Sequence, residues 1–290
     1  MQHATVRCEP SGDQGPAGRY VGRVKFGICL ASLGTYSDPR NAVRIARAAE
    51  SAGWDGLFYW DHLAFVWGPP AGDPWVTLAA VAATTERIRI GTAVTPLPRR
   101  RPHVLAAQIA TLDVLSAGRV TFGAGLGGVP EEFAAFGEPT DEHLRAQMLD
   151  EGLDVVRALL AGERVEHHGA HYAVDGVTLA PAPVQQPLPI WIGGRSVRAQ
   201  RRAARFDGWL ADSSDEHGMV MSPDDIRRGV ERIAPHASFD VGVMGYTRSS
   251  DDDLAHTYRE AGATWWLENV HDVRGTPKEM LARVAAGPPG

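Results

Sequence analysis

From Lys25 onward the chain alternates short apolar runs with stretches whose apolar positions recur every three or four residues. The runs KFGICLA (25–31), GLFYW (56–60), RIRIGTAV (87–94), RVTFGAGLG (119–127), PIWIGG (189–194), GWLAD (208–212), DVGVMGY (240–246) and ATWWLENV (263–270) read as strands. Between them, helices are predicted over 38–53, 74–86, 103–118, 141–162, 222–237, 252–262 and 276–287, with one more after Gly194. The punctuation agrees. Asp38 precedes Pro39 as an N-cap, Gly53 ends that helix, and Ser222 with Pro223 opens another. Helix 141–162 carries Leu144, Met148, Leu149, Leu153, Val156 and Leu160 on one stripe.

Segment 163–189 breaks this rhythm. It alternates, contains a glycine turn and ends in prolines, so it reads as a hairpin and extended loop inserted before the fifth strand. Alternating strands and helices imply parallel strands joined by crossover helices. About eight such units over residues 24–290 predict an α/β fold, a single (β/α)8 TIM-barrel domain with that insertion. An open doubly wound sheet is the rival. No G-x-G-x-x-G with an acidic residue some 20 positions on follows the first strand, which counts against it.

Composition narrows the class. Of 290 residues, 44% are hydrophobic and 22% charged, as in an ordinary soluble globular protein. The net charge of −6 disfavours nucleic acid or an anionic membrane surface as a partner. Cys8 and Cys29 show neither metal spacing nor a disulfide framework, which suits a reducing cytoplasm. No apolar run approaches a membrane span. Residues 1–23 are rich in Gly and Pro and lack an apolar segment, so they read as a disordered extension rather than a signal peptide.

In a barrel of this kind ligands bind at the C-terminal ends of the strands. Gly193-Gly194-Arg195-Ser196 stands at one such end, where glycines admit a close backbone approach and a helix start offers N–H groups to a phosphate. The bland reading is a tight turn. Asp61-His62 ends the second strand. Histidine exchanges protons near neutral pH, and a neighbouring carboxylate can orient it; a hydrogen-bonded structural histidine is the alternative. Adjacent strand residues point to opposite faces, so the two are not expected to face the centre together.

Other candidates are weaker. PRRRPH (98–103) grips an anion or holds a carboxylate such as Glu86 or Asp113. Arg201, Arg202 and Arg205 read as solvated surface. His167, His168 and His171 lie in a polar hairpin without a zinc pattern, and no metal site is assigned. Glu268-Asn269 faces the site or caps a helix. Trp60, Phe65, Trp67, Phe133, Tyr172 and Trp191 suit a partly aromatic pocket or ordinary core packing.

Together, AESAGWDGLFYWDH, IRIGTAVTPLPRRRPHVLAAQIATLDVLSAGRVTFGAGLG, EEFAAFG, DEGLDVVRALLAGERVEHHGAHY and PIWIGGRS resemble the luciferase-like family of flavin- and deazaflavin-dependent oxidoreductases. The resemblance covers roughly residues 24–212 and continues more weakly beyond. It implies a (β/α)8 barrel with an insertion, commonly a homodimer, and FMN or coenzyme F420 as cofactor. The cofactor phosphate would lie at Gly193, Gly194, Arg195 and Ser196. The ring would lean on a bulge at Ala93-Val94, where the family often has a non-proline cis peptide. Gly125, Leu126 and Gly127 would pass the cofactor's polar side chain.

The Asp61-His62 pair is similar to F420-dependent members, in which the histidine sits near the reactive ring carbon. Two departures matter. An acidic residue expected after the glycine motif in the sugar-phosphate dehydrogenase branch is Gly128 here, and the aromatic after the Asp-His pair is displaced, with Val66 and then Trp67. Sugar-phosphate oxidation is therefore not carried over. The resemblance implies an oxidoreductase acting on a small-molecule substrate. With FMN, oxygen and a separate reductase it would be a monooxygenase. With F420 it would transfer hydride, His62 being the leading acid/base. A non-catalytic flavin-binding protein is the reading from another class.

Overall fold

The computed structural model describes residues 23–63, 66–248, 251 and 253–289. The expected N-terminal extension, apart from Arg23, lies outside these residues, as do Cys8 and Phe65.

The elements run β1 (Lys25–Leu30), α1 (Pro39–Ser51), β2 (Gly56–Tyr59), α2 (Pro74–Ala82), β3 (Arg89–Thr92), β4 (Thr95–Pro96), α3 (Pro102–Leu115), β5 (Val120–Gly125), α4 (Pro130–Ala134) and α5 (Glu142–Leu160). They continue with β6 (Arg164–His168), β7 (Ala173–Thr178), β8 (Ile190–Gly193), α6 (Val197–Ala203), β9 (Gly208–Ala211), α7 (Pro223–Ile233), β10 (Asp240–Gly245), α8 (Leu254–Glu260), β11 (Trp265–Val270) and α9 (Pro277–Ala285). Asp38 caps α1 by accepting from Arg40 N, and Ser222 with Asp225 forms a capping box on α7.

The strands of the main sheet are parallel in the order β3-β2-β1-β11-β10-β9-β8-β5, and β3 pairs back onto β5 to close the barrel. Lys25 lies opposite Trp265, Gly27 opposite Gly56 and Ile90 opposite Val120. The predicted (β/α)8 TIM barrel is the observed fold. Its inserted hairpin is β6 and β7, an antiparallel pair standing apart from the barrel sheet.

The run expected as one strand over 87–94 is interrupted. Regular pairing stops at Thr92, the Ala93–Val94 peptide is cis, and pairing resumes when Thr95 and Pro96 meet Ala124 and Gly125. Residues 93–94 thereby form the bulge named in the sequence reading. Below it the barrel interior is aromatic. Phe58 stacks on Trp191 at 5.0 Å, and Trp265 meets each of them edge-on at 5.6 Å. Leu210, Leu267 and Cys29 complete this plug, which floors whatever cleft opens above it.

Glu268 neither faces a cleft nor caps a helix. Fully buried at the end of β11, it forms an ion pair with Arg274 at 2.6 Å and accepts hydrogen bonds from Thr247 Oγ1 and Trp266 Nε1. Asn269 donates to Ser214 Oγ. Arg283 stands farther off, at 4.0 Å from Glu268, so losing Arg274 leaves the buried carboxylate with only a distant counter-charge. Arg274→Met should therefore destabilise the fold by about 3–5 kcal/mol and lower the melting temperature by roughly 10 °C. A thermal melt unchanged from wild type would show that this pair is not structural.

Candidate active site

A cleft of about 520 Å³ opens over the aromatic plug. Its walls include Asp61, His62, Ala93, Val94, Gly125, Leu126, Gly127, Gly193, Gly194, Arg195 and Ser196, so the Asp-His pair, the bulge, the strand-end glycines and the glycine turn lie around one space. They come from the ends of β2, β3, β5 and β8, as barrel geometry requires.

The back of the cleft is a cradle of missing side chains. A Cβ on Gly193 would stand 2.6 Å from Val94 Cγ1, and one on Gly125 would overlap Val94 Cγ2. Val94 therefore rests between two glycines, leaving a flat approach over the bulge. Gly127 and Gly194 adopt φ of +85° and +126°, which side-chain-bearing residues rarely do. Trp209 Nε1 donates to Gly194 O at 2.7 Å and Gly194 N to Leu210 O at 3.1 Å, fixing the turn against β9. The N–H groups of Arg195 and Ser196 make no hydrogen bond among the described residues. Ser196 Oγ caps α6 by accepting from Ala199 N, and its own O–H remains to donate. Arg195 pairs with Asp212 across the cleft at 3.0 Å. A flat heterocycle over Val94 with a phosphate at the turn fits these residues.

The front of the cleft holds the titratable groups, and here the sequence reading needs correction. Asp61 does not orient His62. Its side chain is buried against Arg99 at 3.0 Å and Arg100 at 2.8 Å. The carboxylate that meets His62 is Glu132 of α4, whose two oxygens each lie 3.3 Å from Nδ1. Glu132 also accepts from Leu63 N at 2.7 Å and Arg99 Nη1 at 2.8 Å. Arg99 and Arg100 thus hold Asp61 and Glu132. Neither Glu86 nor Asp113 is their partner: Glu86 is exposed, and Asp113 accepts from Gln185.

Burial alone would raise the Glu132 pKa. The His62 and Arg99 contacts outweigh it and hold the carboxyl below its ordinary value. A charged carboxylate only accepts, so Nδ1 donates to Glu132, and Nε2 makes no hydrogen bond among the described residues. Beside it, Trp60 lines the cleft and donates from Nε1 to Cys29 Sγ at 3.0 Å. Burial pushes the Cys29 thiol up to about 12, so it stays protonated and is no nucleophile.

Of the other aromatic candidates, Phe133 and Trp191 are core residues and Trp67 is half-exposed beside His62. Arg202 and Arg205 are not free surface; they bind Asp150 and Asp154 and tie α6 to α5. In the hairpin, His167 binds Glu151 at 3.1 Å, while Glu166, His168 and Asp175 form an exposed group away from the cleft. Glu132 escaped the sequence reading because nothing in EEFAAFG distinguishes it from Glu131, and only the helix phase decides which one is buried.

The depressed pKa of Glu132 ties stability to pH. A carboxyl lowered on folding stabilises the fold above its unfolded value, near 4.5, and loses that contribution as pH falls through the folded value. Glu132→Gln should cost about 2 kcal/mol at neutral pH, measured by urea unfolding. The gap to wild type should close well below pH 4.5. A pH-independent gap would contradict the charged state assigned to Glu132.

Comparison with known proteins identifies the family and the fold. Residues 24–285 match the family model described as luciferase-like monooxygenase. An uncharacterized protein of Mycobacterium tuberculosis is 33% identical over 209 residues, 66% of this chain and 69% of that protein. The F420-dependent glucose-6-phosphate dehydrogenase of Amycolatopsis mediterranei is 33% identical over 261 residues, 85% of this chain and 77% of that protein. Among solved structures, the F420-dependent tetrahydromethanopterin reductase of Methanopyrus kandleri superposes with a TM-score of 0.74 at 18% identity, covering 91% of this chain and 98% of that one. A monooxygenase from Streptomyces bottropensis gives 0.69 at 22%, covering 90% and 97%. At such identities these two structures show a shared fold. The family model spans nearly all the described barrel, and the chain belongs to the luciferase-like family of oxidoreductases.

Proposed function

We propose that this protein is an F420-dependent oxidoreductase that moves a hydride between the deazaflavin and a small carbonyl or alcohol substrate. The observation that carries this is His62, held by charged Glu132 with Nε2 free, on the same cleft as the Val94 cradle. The 33% identity to a dehydrogenase named as F420-dependent supports the cofactor. When bound, a deazaflavin supplies hydride exchange with a substrate carbon. His62 takes the hydroxyl proton at Nε2 as an alcohol is oxidised and returns it when a carbonyl is reduced. Trp60 and the aromatic plug keep water from the cleft floor.

Sugar phosphate is not the proposed substrate. Open space surrounds the Cβ position of Gly128, where that branch carries an acid, and Glu132 is already committed to His62 and Arg99. The FMN-monooxygenase reading, with its separate reductase, rests on the description of the family model and on likeness of fold, and forms the other arm of the test.

A homodimer is part of the same proposal. Helix α2 (PWVTLAAVA) has no ionisable residue, and the one carboxylate of α3, Asp113, is buried. Val76, Val104, Val114 and Leu115 nevertheless stand exposed on these adjacent helices. Helices without a charged face belong in an interior, and a second copy would supply it.

Two outcomes test these statements. With F420 and a panel of secondary alcohols and ketones, wild type should change the cofactor's visible absorbance without consuming oxygen. His62→Ala should lower kcat by about 10²–10⁴-fold while cofactor affinity holds. Oxygen consumption with reduced FMN, or full activity of His62→Ala, would overturn the reading. Sedimentation should find a dimer that Val104→Asp with Leu115→Lys converts to monomers; a wild-type monomer would remove the dimer.

A further inference from the structure

The barrel mouth has a second half, between β2 and β9 by way of β11, across from the glycine cradle on β5 and β8. Strand alternation says what stands there. Trp265 and Leu267 of β11 lie in the aromatic plug, so Asn269 turns to the same inner face. His271 follows it, because its backbone stays extended with φ −158° and ψ 162°. On β9, Leu210 of the plug leads to Asp212 and Ser214 on the cleft wall, and on β2 Phe58 leads to Trp60.

Three polar groups of this half have valences left open. His271 is only 7% exposed, yet its ring makes no hydrogen bond or ion pair among the described residues. Its nitrogens are not walled off as those of Trp191 and Trp265 are. The ring lies 6.2 Å from Trp60, on the cleft, and 6.4 Å from Tyr246, which borders a second pocket of about 370 Å³. Asn269, 2% exposed, donates from Nδ2 to Ser214 Oγ at 2.7 Å, and its Oδ1 is buried without a partner. Ser214 Oγ accepts that bond, so its O–H is left to donate into the cleft. Buried polar groups without partners are costly unless a ligand completes them.

The charges nearby say what kind of ligand fits. Burial, with the Arg274 charge beside it, pulls the His271 pKa below its ordinary value, while Glu216 and Asp272 act the other way. The ring is therefore neutral at neutral pH and offers one donor and one acceptor. Arg274 is taken by Glu268, and Asp212 by Arg195. With Glu216 and Asp272 close and Arg274 already paired, an anion is not welcome here.

We propose that His271, Ser214 and Asn269 form a neutral hydrogen-bonding subsite for a second, uncharged polar group of the substrate, across Trp60 from His62. This rests on the hydride-transfer reading above and gives the substrate a class: a neutral alcohol or ketone carrying a further hydroxyl or amide.

The experiment compares three ketones on one skeleton, each reduced by reduced F420 and followed by the cofactor's absorbance: cyclohexanone, 4-hydroxycyclohexanone and 4-oxocyclohexanecarboxylate. Wild type should favour the hydroxy ketone over cyclohexanone by about tenfold in kcat/KM, roughly one net hydrogen bond, and the carboxylate should be the poorest. His271→Phe keeps a ring between Trp60 and Tyr246 but removes the nitrogens. It should bring the ratio of hydroxy ketone to cyclohexanone to about one, with the loss in KM rather than kcat. Ser214→Ala should lower the ratio part of the way, and it carries the test if His271→Phe does not fold. A wild-type ratio near one, a preference for the carboxylate, or variants that slow both neutral ketones equally would overturn the proposal and leave the hydride-transfer reading standing. Failure of reduced F420 to reduce any of the three would remove that reading, and this inference with it.

Discussion

The guanidinium of Arg99, with 3% of its side chain exposed, sits between Asp61 and Glu132 and accounts for much of the architecture around the cleft. The three residues come from the end of β2, the turn after β4 and the helix α4. None of these segments is regular barrel, and one charge cluster fixes them to one another. Two carboxylates this deeply buried need the arginine to stay charged, and the arginine needs them. Arg99 also donates to the Asp61 carbonyl, so the backbone carrying His62 is held as firmly as the side chain that orients it. With Asp61 and Glu132 both engaged by cations, His62 is left as the group with an open nitrogen.

The back wall follows a different constraint, that of space. Val94 occupies the volume that side chains at Gly125 and Gly193 would need, and the bulge at 93–94 exists because regular pairing stops at Thr92. One wall is thus fixed by charge and the other by steric exclusion. The division suits a cofactor whose ring must lie flat on one side while protons move on the other.

Most of the barrel was legible in the sequence because its signals are local. The strands are apolar runs, Asp38 and Ser222 cap their helices, and the insertion at 163–189 changes periodicity at once. The glycine cradle was legible for the same reason, since glycines at strand ends stand out. The charge cluster was not. His62 and Glu132 are 70 residues apart, and Arg99 and Glu132 are 33 apart. No spacing announces such a contact. Asp61 looked like the partner of His62 because it is adjacent, yet its carboxylate is the one that the arginines take.

The protonation state of His62 tests the account at its centre. Nitrogen NMR of protein labelled at histidine, with the His62 signals identified among the 11 histidines by their loss in His62→Asn, reports which ring nitrogen carries the proton. The account predicts the Nδ1-protonated form near neutral pH, with Nε2 open to the cleft. A proton on Nε2 would contradict it, because Glu132 would not then be the acceptor that orients His62, and the open nitrogen assigned to acid/base chemistry would not exist.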